Sequence, residues 1–383
     1  MTVTKITSPI SELQLINKTN EIIDEKQDVL TAGSGITIAQ LEEDTRSTAT
    51  IVTVGSIRWQ GVAYGNGVFV AVGNDGYVAY SSDGATWSTP VQVGTDSWYS
   101  ITFANGKFVA VGNTGYTTTT TDGQTWTTPF QVSGLSQRLQ QVRYGNGVFC
   151  AVGWDNKSTT STDGITWATP VNIGSNFNRI TTILFDGDNF VCFSGTQDYY
   201  ATSTDGVTWT TNTINKDMSK HSSAFGNSVY VVGSEVSGQV MYSSDLTTWS
   251  TPIGILDRVE SIYYDGTQFI AGGRRQITSS TYKYSTVTST DGINWTTPVD
   301  IGEAGSSSVI TYGFLSITSN GNGKFVAVGD AGGTTTFEIK YNTLISANID
   351  DTLSSTSENP VQNKVITGAL NNKASVTFVD WTV

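Results

Sequence analysis

The chain has 383 residues, charged side chains at 14% of positions and a formal net charge of -13. Such a surface repels a phosphate backbone rather than neutralising it, which argues against nucleic-acid binding. No apolar run approaches the roughly 20 residues that cross a bilayer, so no membrane insertion is expected, and the Gly, Thr, Ser and aromatic content with few helix-forming runs favours an all-β domain with a large core.

Taken in chain order, Met1-Thr2-Val3-Thr4-Lys5-Ile6 lacks the basic-then-apolar order of a secretory signal, so export by that route is not expected. Residues 6 to 30 carry a short heptad pattern, with Ile6, Leu13, Asn20 and Gln27 in one column and Ile16, Ile23 and Leu30 in the other. A coiled-coil seam interrupted by polar layers would fix register and strand number; a single surface helix fits the same heptads. Residues 1–48 are therefore read as a helical oligomerisation or attachment segment.

Residues 49–345 are governed by a repeat. Tyr64-Gly65-Asn66-Gly67-Val68-Phe69-Val70-Ala71-Val72-Gly73 returns at intervals of roughly 40 residues, near Phe103, Tyr144, Phe185, Phe225, Tyr264 and Asn320. In six units a Ser/Thr-x-Asp-Gly-x-Thr/Asn-Trp signature or a near variant follows, ending at Trp87, Trp126, Trp167, Trp209, Trp249 and Trp295, with Asp245-Leu246 losing the glycine. Each unit reads as four short strands, exemplified by Trp59 to Tyr64, Val68 to Val72, Tyr77 to Ser81 and Thr86 to Val93. Four strands in such a period predict the blade of a β-propeller, here seven-bladed. The stretch Thr50-Ile51-Val52-Thr53-Val54-Gly55 resembles an outermost strand such as Thr89-Pro90-Val91-Gln92-Val93-Gly94, while the last unit runs out after three strands. The N-terminal strand is thus predicted to complete the last blade and close the ring, hiding an edge.

In each signature the Asp carboxylate can accept backbone N–H groups of its turn, the Gly can supply positive φ and the Trp can bury its ring between blades. Turn capping accounts for these aspartates without a metal, and neither a metal nor a cofactor is predicted. Cys150 and Cys192 occupy equivalent strands one position out of phase, which predicts side chains on opposite sheet faces and no disulfide.

Alternating strand direction places the Gly-Asn-Gly and Asp-Gly turns on one face and the second-to-third and blade-to-blade connections on the other. The first face repeats nearly the same residues; the second varies in length and chemistry. Loops on a rigid scaffold commonly carry recognition, and aromatic rings beside carboxylates, amides and arginines suit sugars or protein epitopes. The candidate ligand-binding residues are Trp98, Trp154, Asp155, Phe177, Arg179, Tyr199, Tyr200, Arg274 and Arg275. No catalytic residue is assigned. The single histidine, His221, is read as a loop residue, and no nucleophile-elbow sequence or selected carboxylate pair accompanies it.

Two resemblances complete the sequence picture. The Asp-Gly-x-Thr-Trp elements of residues 49 to about 341 resemble the Asp-box of sialidase-like and BNR-like propellers, although Asp83-Gly84, Asp122-Gly123, Asp163-Gly164, Asp205-Gly206 and Asp291-Gly292 are adjacent where that family spaces the two residues by one. Sialidases use an arginine set, a tyrosine nucleophile and an acid/base aspartate; no recognisable Arg-Ile-Pro element stands near the first blade, Arg58-Trp59-Gln60 being the nearest. Residues 346–383 are read as a connector with a short helix, opened by Asn359-Pro360 as N-cap and first helical residue. Ile16-Asn17-Lys18-Thr19-Asn20-Glu21-Ile22-Ile23 with Leu30-Thr31-Ala32-Gly33-Ser34-Gly35-Ile36, and Leu353-Ser354-Ser355-Thr356-Ser357-Glu358-Asn359-Pro360-Val361-Gln362-Asn363-Lys364-Val365, resemble modules of bacteriophage tail-fibre and tail-tip proteins. That resemblance implies an oligomeric, often trimeric, component of the virion tail that contacts other tail proteins and a host cell-surface glycan or protein. The alternatives are a structural virion protein and a sialidase-like or depolymerase hydrolase.

Overall fold

A computed structural model describes residues 36–38, 50–177, 179–195, 197–214, 221–278, 281–301, 305–306, 314–329, 333–338 and 345–347. The chain divides into two units: residues 44–339, and residues 1–43 with 340–383. In the second of these, Ile36–Ile38 pairs antiparallel with Ile345–Ala347. The segments expected to be helical, 6 to 30 and the one opening at Asn359-Pro360, lie outside the described residues.

Residues 44–339 form an all-β propeller of antiparallel four-stranded sheets, one of which carries an added strand. Six sheets use consecutive strands. Sheet 1 is Trp59–Gly65, Val68–Gly73, Tyr77–Ser81 and Val91–Gln92, from inside to outside. The inner strands of sheets 2 to 6 are Trp98–Ala104, Leu139–Gly145, Ile180–Phe185, Ser222–Gly226 and Arg258–Tyr264. A seventh sheet is composite: Phe314–Ser319, Lys324–Gly329 and Gly333–Glu338 accept Thr50–Thr53 as their outermost strand, with Thr50 opposite Thr336 and Thr53 opposite Gly333. The edge that the last three strands would expose is thereby paired.

The inner hairpins are specified locally. Tyr64 pairs with Phe69 and Gly65 with Val68, leaving Asn66 and Gly67 as a two-residue turn at φ 46° and 80°. Both central residues of a type I′ turn need positive φ, which Asn and Gly tolerate. Cross-strand aromatic pairs clamp the same end of the hairpin, with ring centroids 4.7 Å apart for Tyr64 and Phe69 and 4.8 Å for Phe103 and Phe108. A Cβ at Gly65 would overlap the ring of Phe103, so the glycine also admits the aromatic of the next sheet.

The outermost strand is shorter than predicted. In place of Thr86 to Val93, sheet 1 has Val91–Gln92. Upstream of it Ser88 is held by side chain as well as backbone: its N–H donates to Tyr80 O (2.9 Å) and its Oγ accepts from Tyr80 N (3.1 Å). Pro90 then supplies no N–H for a ladder. The equivalent region of sheet 4, Thr210-Thr211-Asn212-Thr213, has no proline and forms a four-residue strand.

Hydrophobic clusters fill the seams between sheets. Val70, Val72, Trp98 and Phe108 pack between sheets 1 and 2, with Trp126 against them. Val54, Trp59, Phe69 and Ala71 pack against Val326 and Val328, with Trp87 beside them, joining the last sheet to the first. Full burial of each such side chain contributes about 1.5–3 kcal/mol. Val62 N–H donates to Ser316 Oγ across the same seam.

The two cysteines share a seam. They do lie out of phase, but the outward face of one sheet packs on the inward face of the next, so Cys150 and Cys192 belong to one cluster with Ile183, Phe190 and Ala201. Both are free thiols, and burial raises both above the usual thiol range.

Candidate functional site

On the repeated face, the recurring side chains are engaged in internal bonds. Asp83 Oδ1 accepts the N–H groups of Ala85 (2.8 Å) and Thr86 (2.7 Å), and Trp87 Nε1 donates to Gly84 O (2.8 Å). The carboxylate bonds recur at Asp122, Asp163, Asp205, Asp245 and Asp291, and the indole bond at Trp126, Trp209 and Trp249. The backbone bond from Thr86 is foremost in lowering Asp83 to about 2 against the upward push of burial. Asn66 Nδ2 reaches Gly106 O (3.1 Å) and Thr121 O (2.9 Å) of the next sheet, as Asn146 reaches Asp188 O and Thr204 O. These residues repeat because the fold uses them.

The variable face distributes the nine predicted residues unevenly. Trp98 opens an inner strand, is fully buried and donates to Val93 O, because its ring fills the seam between sheets 1 and 2. Phe177 and Tyr200 are also core residues, at 5% and 4% exposure. These three are corrected from contact residues to packing residues: each carries an aromatic ring at a position whose register turns it inward. Tyr199, the neighbour of Tyr200 on the strand, is half-buried and meets Phe177 at 6.0 Å. Arg274 and Arg275 lie not in a loop but on an extended hairpin of Phe269–Thr278 and Thr281–Ser289. Arg274 lies 4.0 Å over the Tyr282 ring, and Arg275 bonds Asp300 at 2.7 Å, where Lys283 Nζ also approaches to 3.6 Å. Asp155 accepts the N–H groups of Ser136 (2.7 Å) and Gln137 (3.0 Å), so its carboxylate caps a loop.

Trp154 and Arg179 do come together, with two residues not singled out from the sequence. The guanidinium of Arg138 lies 3.6 Å from the Trp154 ring centroid and 4.5 Å from that of Tyr99; Arg179 lies 4.0 Å from Trp154. Cation–π contact suits a guanidinium over an indole. Burial foremost lowers the affinity of Arg138 for its proton, a bond from Tyr99 opposes this, and the charge of Arg179 adds to the lowering.

Strand register explains this gathering. Trp59, Leu139, Ile180, Ser222 and Val259 are equivalent: the first four pair with the residue closing the second strand of their sheet, Gly73, Gly153, Ser194 and Gly233, and Val259 pairs with Gly273, beyond which its second strand runs on to Thr278. The residues immediately before them are Arg58, Arg138, Arg179, His221 and Arg258. Four of the eight arginines and the sole histidine thus occupy one register position, at the same end of successive inner strands. The spacing, roughly 40 residues or a multiple of it, is a signal present in the sequence, weaker than the repeated turns and tryptophans because it skips sheets.

The inner strands enclose a central cavity of about 470 Å³, lined among others by Gln60, Gln141, Arg143, His221, Glu260 and Tyr263. His221 faces Glu235 at 3.4 Å, and Glu260 faces Arg258 at 3.4 Å. Burial lowers the His221 pKa, opposed by Glu235 and reinforced by Arg138, Arg258 and Arg58. His221, Glu235 and Glu260 could offer three ligand atoms within 4.8 Å of one another. A dication there would meet those three guanidiniums, and Arg258 already engages Glu260, so the charge balance favours a hydrogen-bonded network over a metal centre.

No protein-family model and no curated protein sequence matches the chain. Among solved structures it is similar to YCF48 bound to D1 peptide, with 16% identity over 79% of this chain and 100% of that one and a TM-score of 0.60. It is similar to YCF48 from Cyanidioschyzon merolae, with 14% identity over 76% of this chain and 99% of that one and a TM-score of 0.54. It is also similar to a catalytically inactive virginiamycin B lyase from Staphylococcus aureus with Quinupristin, with 10% identity over 76% of this chain and 98% of that one and a TM-score of 0.63. Similarities at these identities establish the shared fold: the chain is an all-β propeller.

Proposed function

We propose that the chain is a receptor-binding subunit of a bacteriophage tail fibre or tail tip, a seven-bladed propeller that recognises a host cell-surface glycan or protein through its variable-loop face. The observation that carries this reading is the division of labour between faces. Repeated Asp and Asn side chains are spent on internal bonds on one face, whereas the other presents Arg138 and Arg179 against Trp154, with Arg138 also over Tyr99 of the cavity lining. Rigid scaffolds with variable loops commonly place recognition on the loops, and Trp, Tyr and Arg are the side chains that dominate binding energy. The terminal resemblance to tail-fibre modules supports assembly as a homo-oligomer, with a trimer favoured, in the virion tail beside other tail proteins. Several identical heads on one particle would add avidity without tight single sites. The propeller structure titled as bound to a D1 peptide keeps a protein epitope among the ligands to test.

The test is adhesion of labelled protein to a panel of host strains, comparing the wild type with Trp154→Ala and Arg179→Gln. Saturable adhesion of the wild type that folded variants lose supports the reading; no adhesion of the folded wild type to any strain sinks it.

A second reading, glycan cleavage, is favoured by the His221, Glu235 and Glu260 group at the cavity. It predicts release of saccharide from host surface polysaccharide, abolished in Glu260→Gln. Intact polysaccharide after prolonged incubation with the wild type removes it.

A further inference from the structure

We propose that Arg138 and Arg179, held against Trp154 at the mouth of the central channel, form an anion-binding site for an acidic glycan, whose carboxylate or phosphate group is taken by the two guanidiniums. This rests on the receptor-binding reading and names its ligand class.

The first support is the gathering itself. A chain of net charge -13 places four of its eight arginines at one register position, and two of them lie over a single indole, 3.6 and 4.0 Å from its centroid. Two like charges on one ring repel, and a bound anion removes that repulsion. Guanidinium presents a planar fork of donors that matches carboxylate and phosphate geometry.

The second support is a pair of donors left without acceptors. Arg138 Nε and Trp154 Nε1 are both buried without a hydrogen-bond partner among the described residues. The neighbouring carboxylates are committed elsewhere: Asp155 caps Ser136 and Gln137, Glu260 faces Arg258, and Glu235 faces His221. Deeper in the channel Arg143 lines the cavity and donates from Nη1 to Val142 O (3.0 Å). An acidic chain entering the mouth therefore meets a third guanidinium below the first two.

Trp154 is a positioning residue here. Both guanidiniums rest on its ring, so it fixes the placing of the cations rather than stacking on sugar. Arg179 is exposed and Arg138 half-buried, which leaves the outer part of the pair open to a ligand arriving from solvent.

The test measures binding of the full-length protein, at fixed ionic strength, to polygalacturonate, to a poly(glycerol phosphate) and to neutral dextran. Arg138→Gln and Arg179→Gln are compared with the wild type, with thermal melting confirming that each variant folds. Saturable binding to one or both anionic polymers and none to dextran is expected, and preference between the two identifies the anion. Each variant should bind about tenfold to a hundredfold more weakly, the range for losing a charge-assisted hydrogen bond. Equal binding to dextran, binding to neither anionic polymer, or variants that bind as the wild type would each overturn the site. Arginine-dependent polymer binding without adhesion to any host strain would refute the receptor reading and leave the site standing. Adhesion that anionic polymer does not compete, unchanged in both variants, would do the reverse.

Discussion

The guanidinium of Arg138 lies 3.6 Å from the centroid of the Trp154 ring, although the two residues flank different strands and lie 16 positions apart in the chain. Arg138 O accepts the Trp154 N–H at 3.0 Å, so the backbone bond that closes the sheet also sets the cation over the indole. Replacing Trp154 by Ala should cost about 1–2 kcal/mol from two lost cation–π contacts. It should also let Arg138 and Arg179 separate. A thermal melt and an adhesion assay on the same preparation check both consequences; adhesion that survives the substitution contradicts the role of the pair.

The Asp turns make stability depend on acid. Asp83, Asp163 and Asp291 are lowered to about 2 from 3.8. For Asp83 and Asp163 the largest cause is the backbone bond from the turn; for Asp291 burial pushes upward and the bonds from Asn294 outweigh it. A carboxyl lowered on folding contributes stability above its unfolded pKa and loses it as pH falls through the folded value. Melting temperature should therefore fall between about pH 4 and pH 2. Asp83→Ala should remove Asp83's share of that fall and cost about 1 kcal/mol at neutral pH, in line with loss of a capping side chain. A flat melting profile over that range would show that the turns are not so tuned.

Ring closure depends on Thr50–Thr53. Deleting residues 1–55 removes that strand and also the Val54 carbonyl that accepts from Trp59 Nε1 at 3.1 Å. The truncated protein should expose the Gly333–Glu338 edge and associate through it. Light scattering during a thermal ramp checks this, with aggregation expected many degrees below the full-length transition.

His221 supplies a second, milder pH dependence. Its pKa is lowered from 6.5 by burial, against Glu235 and with Arg138, Arg258 and Arg58. The unfolded chain then binds a proton that the folded chain refuses, so stability should decline as pH falls below 6.5 towards the lower folded value. His221→Gln should flatten the melting curve in that window while leaving the steeper loss below about pH 4.

Much of the fold was legible because it is repeated. The Asn66-Gly67 turn, the Asp83 turn and the strand ahead of Trp59 are local signals, and each appears where periodicity placed it. What escaped was set by register and by the neighbouring sheet. Trp98 and Tyr200 carry binding-type side chains, but one position along a strand decides between solvent and seam. Cys150 and Cys192 show the same limit, since parity within one sheet does not say what packs on it. The contact of Arg138 with Trp154 joins the flanks of two strands and has no local sequence signal, whereas the recurrence of arginine at one register position in four of the seven sheets is present in the sequence.

The central claim is recognition of a host surface through the variable face. Its most direct test is adhesion of labelled protein to host bacteria with and without their surface polysaccharide, comparing Arg179→Gln on the variable face with Ile165→Ser, an exposed position beside Asp163 on the repeated face. Saturable adhesion that is lost on stripping and in Arg179→Gln, but kept in Ile165→Ser, is the predicted result. Adhesion lost in Ile165→Ser and kept in Arg179→Gln would put the binding surface on the opposite face and contradict the account.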